Sequence, residues 1–278
     1  CYNRIRICWD GISIAHVKLP VPLSWATDPA GAQNAIDIYN NDISEAVDDA
    51  IEADYGICNI RVMRNRVTDS LVGISVQPCL AGPIYVTHNV AYRFTQAPWK
   101  LYVGPTGVML FHNTTMAGIW RSLCSANTRI SNSTIRNNLF LDGREGAHIN
   151  VGDARTRMDF NGYNTGIVYN GKTYPSPGAL AAAMGQEAHG RVVGSDSLVN
   201  PATFDADRDY SEVEVDLRPK PGSPAMDAGE VLPTINDGFA EKAPDLGAYE
   251  AGQPIPHYGP RTDGKGRAGS SLPAWEER

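Results

Sequence analysis

An evenly spaced set of asparagines constrains this chain more than any other feature. Asn41, Asn65, Asn89 and Asn113 follow one another at 24-residue intervals, and Asn138 comes 25 residues later. Each closes a short alternating apolar segment: Ile38-Tyr39-Asn40, Val62-Met63-Arg64, Val86-Thr87-His88, Leu110-Phe111-His112 and Ile135-Arg136-Asn137. A hydrophobe stands two residues beyond most of them (Ile43, Val67, Phe140), so the chain turns at the Asn and enters another strand. A period of this length signals a solenoid, whose coils bury their apolar faces only against neighbouring coils. Strands this short and rich in Val and Ile suit three-strand coils, and the signatures of leucine-rich and helical repeats are missing. The expected fold is all-β: a right-handed parallel β-helix of about seven coils with an irregular C-terminal cap.

The series reaches back to the N-terminus. "NRIRICWDGISI" from Asn3 aligns without a gap on "NRVTDSLVGISV" from Asn65, which makes Asn3 the first rung. The longer step from Asn3 to Asn41 places an insertion in the Pro-rich stretch Leu19–Gln33. In a parallel stack identical Asn side chains hydrogen-bond from rung to rung, so the column reads as structural. Four segments follow: coils over 1–165, an irregular stretch with a short helix over 166–217, a cap over 218–261 and a disordered tail over 262–278. Ser176 and Gly185 are the expected start and stop of that helix, Pro177 to Met184. The cap is dense in Pro, Gly and Asp ("GSPAMDAG", "APDLGAYEAG") and is expected to cover the open end of the sheet. Asp227, Asp245 and Glu250 are expected to hold its turns.

Composition narrows the function. A net charge of −7 argues against a general nucleic-acid binder, which needs a basic face. No apolar run approaches the roughly 20 residues of a membrane span. Cys1, Cys8, Cys58, Cys79 and Cys124 show no CxxC and no metal-type spacing. The chain opens on Cys1, not Met, and so reads as a processed or excised piece whose targeting segment lies elsewhere.

The third strand of each coil carries the chemistry. Alternation sends Ile12, Ile51, Ile74 and Leu101 inward. Ser13, Glu52, Ser75 and Lys100 then form one outward column, and Asp54, Gln77 and Tyr102 another. Asp10 stacks near Asp49, with Asp48 beside it, at a rung spacing of about 4.8 Å. So many carboxylates on one face require a proton, a cation or a basic neighbour. Just before the Asn column, His88 and His112 fall on adjacent rungs; hydrogen-bonded surface histidines are expected, with metal binding the lesser alternative. Trp120 is a candidate sugar platform or a packing residue.

"WDGI" at 9–12 and "VDDAI" at 47–51 resemble the Asp-Gly-Ile and Asp-Asp-x-Ile elements of polygalacturonase-type hydrolases in the pectate-lyase-like superfamily. That resemblance implies an extracellular or periplasmic, monomeric enzyme cleaving an acidic, uronate-containing polysaccharide. Asp48 would be the general acid, Asp10 and Asp49 would hold the attacking water, and Lys100 would bind substrate. Where those hydrolases carry Gly-His-Gly this chain has Leu71-Val72-Gly73, and Pro98 stands where an Arg is expected. Asp48-Asp49-x-x-Glu52 is also similar to the calcium cluster of β-helix pectate lyases. On that likeness Asp48, Asp49, Glu52 and Asp54 would hold Ca²⁺, and Lys100 would be the base of an elimination. Ser75, Gln77, Trp99, Tyr102 and His148 are the expected substrate contacts. The alternative from another class is a carbohydrate-binding surface protein that uses the same groove without cleavage.

Overall fold

The computed structural model describes residues 1–14, 33–79, 81–116, 118–125, 128–203 and 214–261. It is a parallel β-solenoid of about six turns with a repeat near 24 residues. Strands before the Asn column form a six-stranded sheet from Gln33–Tyr39 to Arg157–Asp159. Strands after it form a bent sheet with two legs. The first leg includes Arg4–Cys8, Asp42–Ala46, Thr114–Met116 and Leu139–Phe140. The second includes Ile12–Ser13, Asp49–Glu52, Arg121–Cys124 and Gly146–Ile149. Arg66–Ser75 and Val90–Lys100 run through both legs and bend where Asp69 and Arg93 adopt positive φ.

The Asn column is a continuous hydrogen-bonded ladder. In each rung the backbone N–H and the side-chain Nδ2 both donate to the Oδ1 of the next Asn, from Asn3 through Asn41, Asn65, Asn89, Asn113 and Asn138 to Asn161. These rungs bound six turns, one fewer than expected, because each interval between Asn residues is one turn. The residue before each Asn (Tyr2, Asn40, Arg64, His88, His112, Asn137, Phe160) has φ between 51° and 60°. That left-handed corner swings the chain from one sheet to the next at a steric cost for non-Gly residues, and the ladder holds it in place. Asn161 ends on Glu187, whose carboxylate accepts from Asn161 N, Asn161 Nδ2 and the Tyr163 hydroxyl.

Beyond Glu187's rung the stack is closed by Lys172–Tyr174, which pairs antiparallel with Ile167–Tyr169, and by the helix Pro177–Met184. Ser176 caps its first turn and Gly185 ends it in the left-handed conformation, both as expected. Leu180 of the helix is fully buried in the main core beside Ile167, Tyr169 and Tyr174.

The Pro/Gly-rich C-terminal segment does not cover the end of the sheet. It runs back along the flank as a strap. Leu246, Ala248, Tyr249 and Tyr258 pack on Val90, Tyr92, Met116, Leu139 and Leu141 in a second core outside the first leg. Its backbone docks on the corner column: Gly247 N donates to Asn137 O, and Gly259 N donates to Asn40 O. His112 is part of this seam. Its Nε2 accepts from the amides of Asn137 and Asn236, which leaves Nδ1–H to donate to Gly247 O. Burial holds the imidazole neutral, its pKa lowered to about 4. Asp227 and Asp245 accept backbone N–H bonds within the strap, as expected. The 19–32 part of the expected insertion and the tail 262–278 lie outside the described residues.

Two stability measurements follow from the ladder. Asn89→Ala would strand buried donors on Asn65 and the carbonyl of Val62, costing roughly 3–5 kcal/mol. Asn3→Ala, on the exposed first rung, costs about 1 kcal/mol or less; equal losses in denaturant unfolding would refute the ladder's role. Burial raises the Glu187 pKa from 4.5 to about 7. A raised carboxyl stabilises the fold below the unfolded value and loses that contribution as pH rises through the folded one. Stability therefore declines between pH 4.5 and 7, and Glu187→Gln flattens that slope.

Candidate functional site

The strap covers the outer face of the first leg over Val90, Tyr92, Met116, Leu139 and Leu141, and the acidic residues gather on the second leg. Its register matches the expected column: Ser13 pairs with Glu52, Glu52 with Ser75 and Ser75 with Lys100. The column continues past the expected residues to Cys124, His148 and Val168. Gly11 and Gly73 are required by the stacking, because a Cβ on either would sit 2.4 Å from a carbonyl oxygen of the next coil. The glycines of "WDGI" and "LVGI" thus let coils approach closely where the acidic residues gather.

Asp10, Asp49 and Glu52 each contribute an oxygen to a group whose atoms lie within 4.8 Å of one another. Asp49 N donates to Asp10 Oδ1, and Gly11 N donates to Asp49 O, so the two acids occupy adjacent rungs. Asp49 is only 1% exposed. Its Oδ2 accepts from Lys100 Nζ at 2.5 Å, while its Oδ1 is buried with no hydrogen-bond partner. Burial raises the Asp49 carboxyl to about 6, against the opposing pull of the Lys100 ammonium. Burial first, then Glu52, raises Asp10 as well. Two acids with raised pKa beside a buried open acceptor can share a proton, hold a polarised water or bind a hard cation.

The other expected residues fall at different depths. Asp48 lies half-buried at the rim, with its backbone N–H on Trp9 O, and is outside the converging group. Asp54 is also outside it; Oδ1 accepts from Ser75 Oγ at 2.7 Å and Gln77 N at 2.8 Å, and burial raises its pKa to about 7. The oxygen set that a cation would meet is thus Asp10, Asp49 and Glu52, where Asp48, Asp49, Glu52 and Asp54 were expected. Ser75 is fully buried and committed to Asp54, and Gln77 is half-buried beside it.

Trp99 is no surface platform. With Lys100 outward, alternation turns Trp99 inward opposite Ile74, where it is 1% exposed and its Nε1 donates to Thr115 Oγ1 at 2.6 Å. Tyr102 is half-buried, its hydroxyl 3.2 Å from Cys124 Sγ. His148 Nε2 lies 3.1 Å from Glu145 O, and burial followed by Arg121 lowers its pKa.

Arg121 and Cys124 were not anticipated. Arg121 Nη1 donates to Cys124 Sγ, while Nε and Nη2 hold Glu145 Oε2 at 2.8 and 2.7 Å. Their signal in the sequence was a second basic residue and a lone Cys one turn beyond Lys100, with no motif attached. The acidic group thus lies on the first coils, and the later ones carry the Arg121–Glu145 ion pair.

No family model, curated protein or solved structure matches the chain.

The Asp49–Lys100 pair generates a direct expectation. In carboxyl-carbon NMR the Asp49 side chain titrates with a midpoint near 6. Lys100→Met, which removes the cation that lowers it, moves the midpoint higher. A wild-type midpoint near the ordinary Asp value of about 4 would show the site to be open to water.

Proposed function

We propose that the second-leg face hydrolyses glycosidic bonds in an acidic, uronate-containing polysaccharide. The observation that carries this reading is Asp49: a buried carboxylate in contact with Lys100, beside Asp10, with one oxygen free of any protein partner. In this reading the half-buried Asp10 binds the attacking water and takes its proton as oxygen bonds to the anomeric carbon, with the buried Asp49 on the adjacent rung positioning it. The glycosidic C–O bond breaks as Asp48, at the rim, protonates the leaving oxygen. The division of labour follows that of carboxyl pairs in glycoside hydrolysis, in which one group takes a proton and another gives one. Lys100 keeps Asp49 partly ionised near neutral pH and offsets the charge of its neighbours. A substrate of this kind belongs outside the cytoplasm, and an extracellular or periplasmic location is part of the proposal.

Calcium-assisted β-elimination is the second reading, favoured by the convergence of Asp10, Asp49 and Glu52 oxygens. Those hard oxygen donors suit Ca²⁺, which would supply charge neutralisation for a substrate carboxylate. The Lys100–Asp49 contact weighs against it, since an ammonium held by a carboxylate is no proton acceptor.

The test is an activity screen on uronate-containing polysaccharides, with calcium and with chelator, following new reducing ends and unsaturated product together. Hydrolysis predicts reducing ends without unsaturated product, insensitivity to chelator, and a loss of about 10³-fold or more in kcat for Asp49→Asn. Unsaturated product that chelator abolishes would replace hydrolysis by elimination. Folded protein that binds these glycans without cleaving them would replace both with the binding protein.

A further inference from the structure

The strap meets the corner column at a single imidazole, and the hydrogen bonds around it leave no place for a second proton. His112 is 1% exposed. Its Nε2 accepts from Asn137 Nδ2 at 2.9 Å and from Asn236 Nδ2 at 2.7 Å, and its Nδ1 lies 3.1 Å from Gly247 O. Neither amide is free to present its oxygen to the ring instead. Each Nδ2 spends its second hydrogen on Glu230 O. The oxygens accept from Glu230 N and Leu232 N, both at 2.8 Å. Turning either amide would break two backbone hydrogen bonds and set like groups against each other.

The charged neighbours do not relieve this. His88 stacks on His112 from the preceding rung, 4.9 Å between ring centroids, and Arg64 stands one rung further back. On the following rung Arg136 is paired with Glu230. The strap brings Asp245 and Glu250, whose carboxylates accept from Ala251 N and Asp245 N inside their own turn. Among the described residues no carboxylate bonds to the His112 ring, so a proton on Nε2 would point at two N–H donors with no acceptor to meet it.

We propose that His112 is a proton-operated latch: docking of the strap and protonation of His112 exclude each other, so that a proton lifts the strap and uncovers the apolar face of the first leg. That face is formed by Val90, Tyr92, Met116, Leu139 and Leu141, which pack under Leu246, Ala248 and Tyr249 while the strap is down. The far attachment at Asn40 uses backbone groups of His257 and Gly259. It does not depend on the His112 proton, so the strap opens from the His112 seam and stays tethered beyond it. The latch is independent of the hydrolase reading. An unburied imidazole titrates near 6.5 and the docked one near 4. Docking is therefore favoured in full above pH 6.5, and the His112 contribution weakens about tenfold per pH unit down to 4. Glu250, raised to about 7 by burial and then by Asp245, acts in the opposite direction.

The experiment follows hydrogen exchange of the full chain between pH 6.5 and 4. Gly247 N, bonded to Asn137 O, and Ala248 N, bonded to Thr114 Oγ1, report on the strap. Asn65 N and Asn89 N, in the ladder, report on global unfolding. Wild type is compared with His112→Gln, which keeps a donor and an acceptor but gains no proton, and with Asn236→Asp, which sets a carboxylate against Nε2. Glu250 is common to all three and cancels in their ratios. The ratio of wild-type to His112→Gln protection at the strap amides is expected to fall about tenfold per pH unit, with the ladder amides unchanged. Asn236→Asp, whatever it costs at neutral pH, raises the His112 midpoint in imidazole NMR and holds the strap down in acid. A ratio that does not vary with pH, equal loosening by both variants at every pH, or joint loss of strap and ladder protection would overturn the latch. So would a wild-type His112 midpoint near 6.5 with the strap still protected, since ring and strap would then tolerate the proton together.

Discussion

The rest of the molecule depends on one hydrogen-bonded contact repeated up the stack: an Asn amide that accepts from the backbone and side chain of the Asn below it. The contact is satisfied only in a parallel stack in exact register, because a slip of one residue would carry the amide to the other face. It also holds a non-Gly residue in the left-handed corner before each Asn, and that corner sets the angle between the sheets. Glu187 ends the ladder with a carboxylate that takes the place of the next amide. The column thus fixes rung spacing and side-chain phase together, which decides which residues on the second leg become neighbours.

Coverage decides which surface can act. The strap buries the outer face of the first leg with Leu246, Ala248, Tyr249 and Tyr258, and it recruits His112 and Asn137 as docking groups. His112, one of two stacked histidines that look chemically suggestive, is therefore spent on attachment. Among the described residues no comparable cover lies over Asp10 and Asp48 on the second leg, which holds a buried acid whose ionisation costs free energy. Burying Asp49 beside other carboxylates with a single cation adds little to stability, and such placement is a recurrent mark of sites that do chemistry.

Much of this was legible in the sequence, for physical reasons. The 24-residue spacing reports a stacking period, and the alternation beside each Asn reports which face is buried. The Ser13–Glu52–Ser75–Lys100 column followed from those two facts. The same alternation, applied to the neighbour of Lys100, already sends Trp99 inward, so its ring belonged with Ile74 and not with the substrate contacts. Asn161 follows Asp159-Phe160, where no Val or Ile marks a strand, and so its rung was hidden. The path of the strap was not legible, since Pro, Gly and Asp describe turns and leave their direction open. Arg121 and Cys124 were hidden because their meeting depends on the coil-to-coil register of short strands separated by turns.

The most direct test of the account is a crystal structure of Asp49→Asn with a bound uronate-containing oligosaccharide. The account predicts a sugar ring over Asp10 and residue 49, with the chain running along the Ser75–Lys100–Cys124 column. An oligosaccharide seated elsewhere, such as the roughly 180 Å³ cleft between Arg64, His88 and the strap, with the second leg empty, would contradict it.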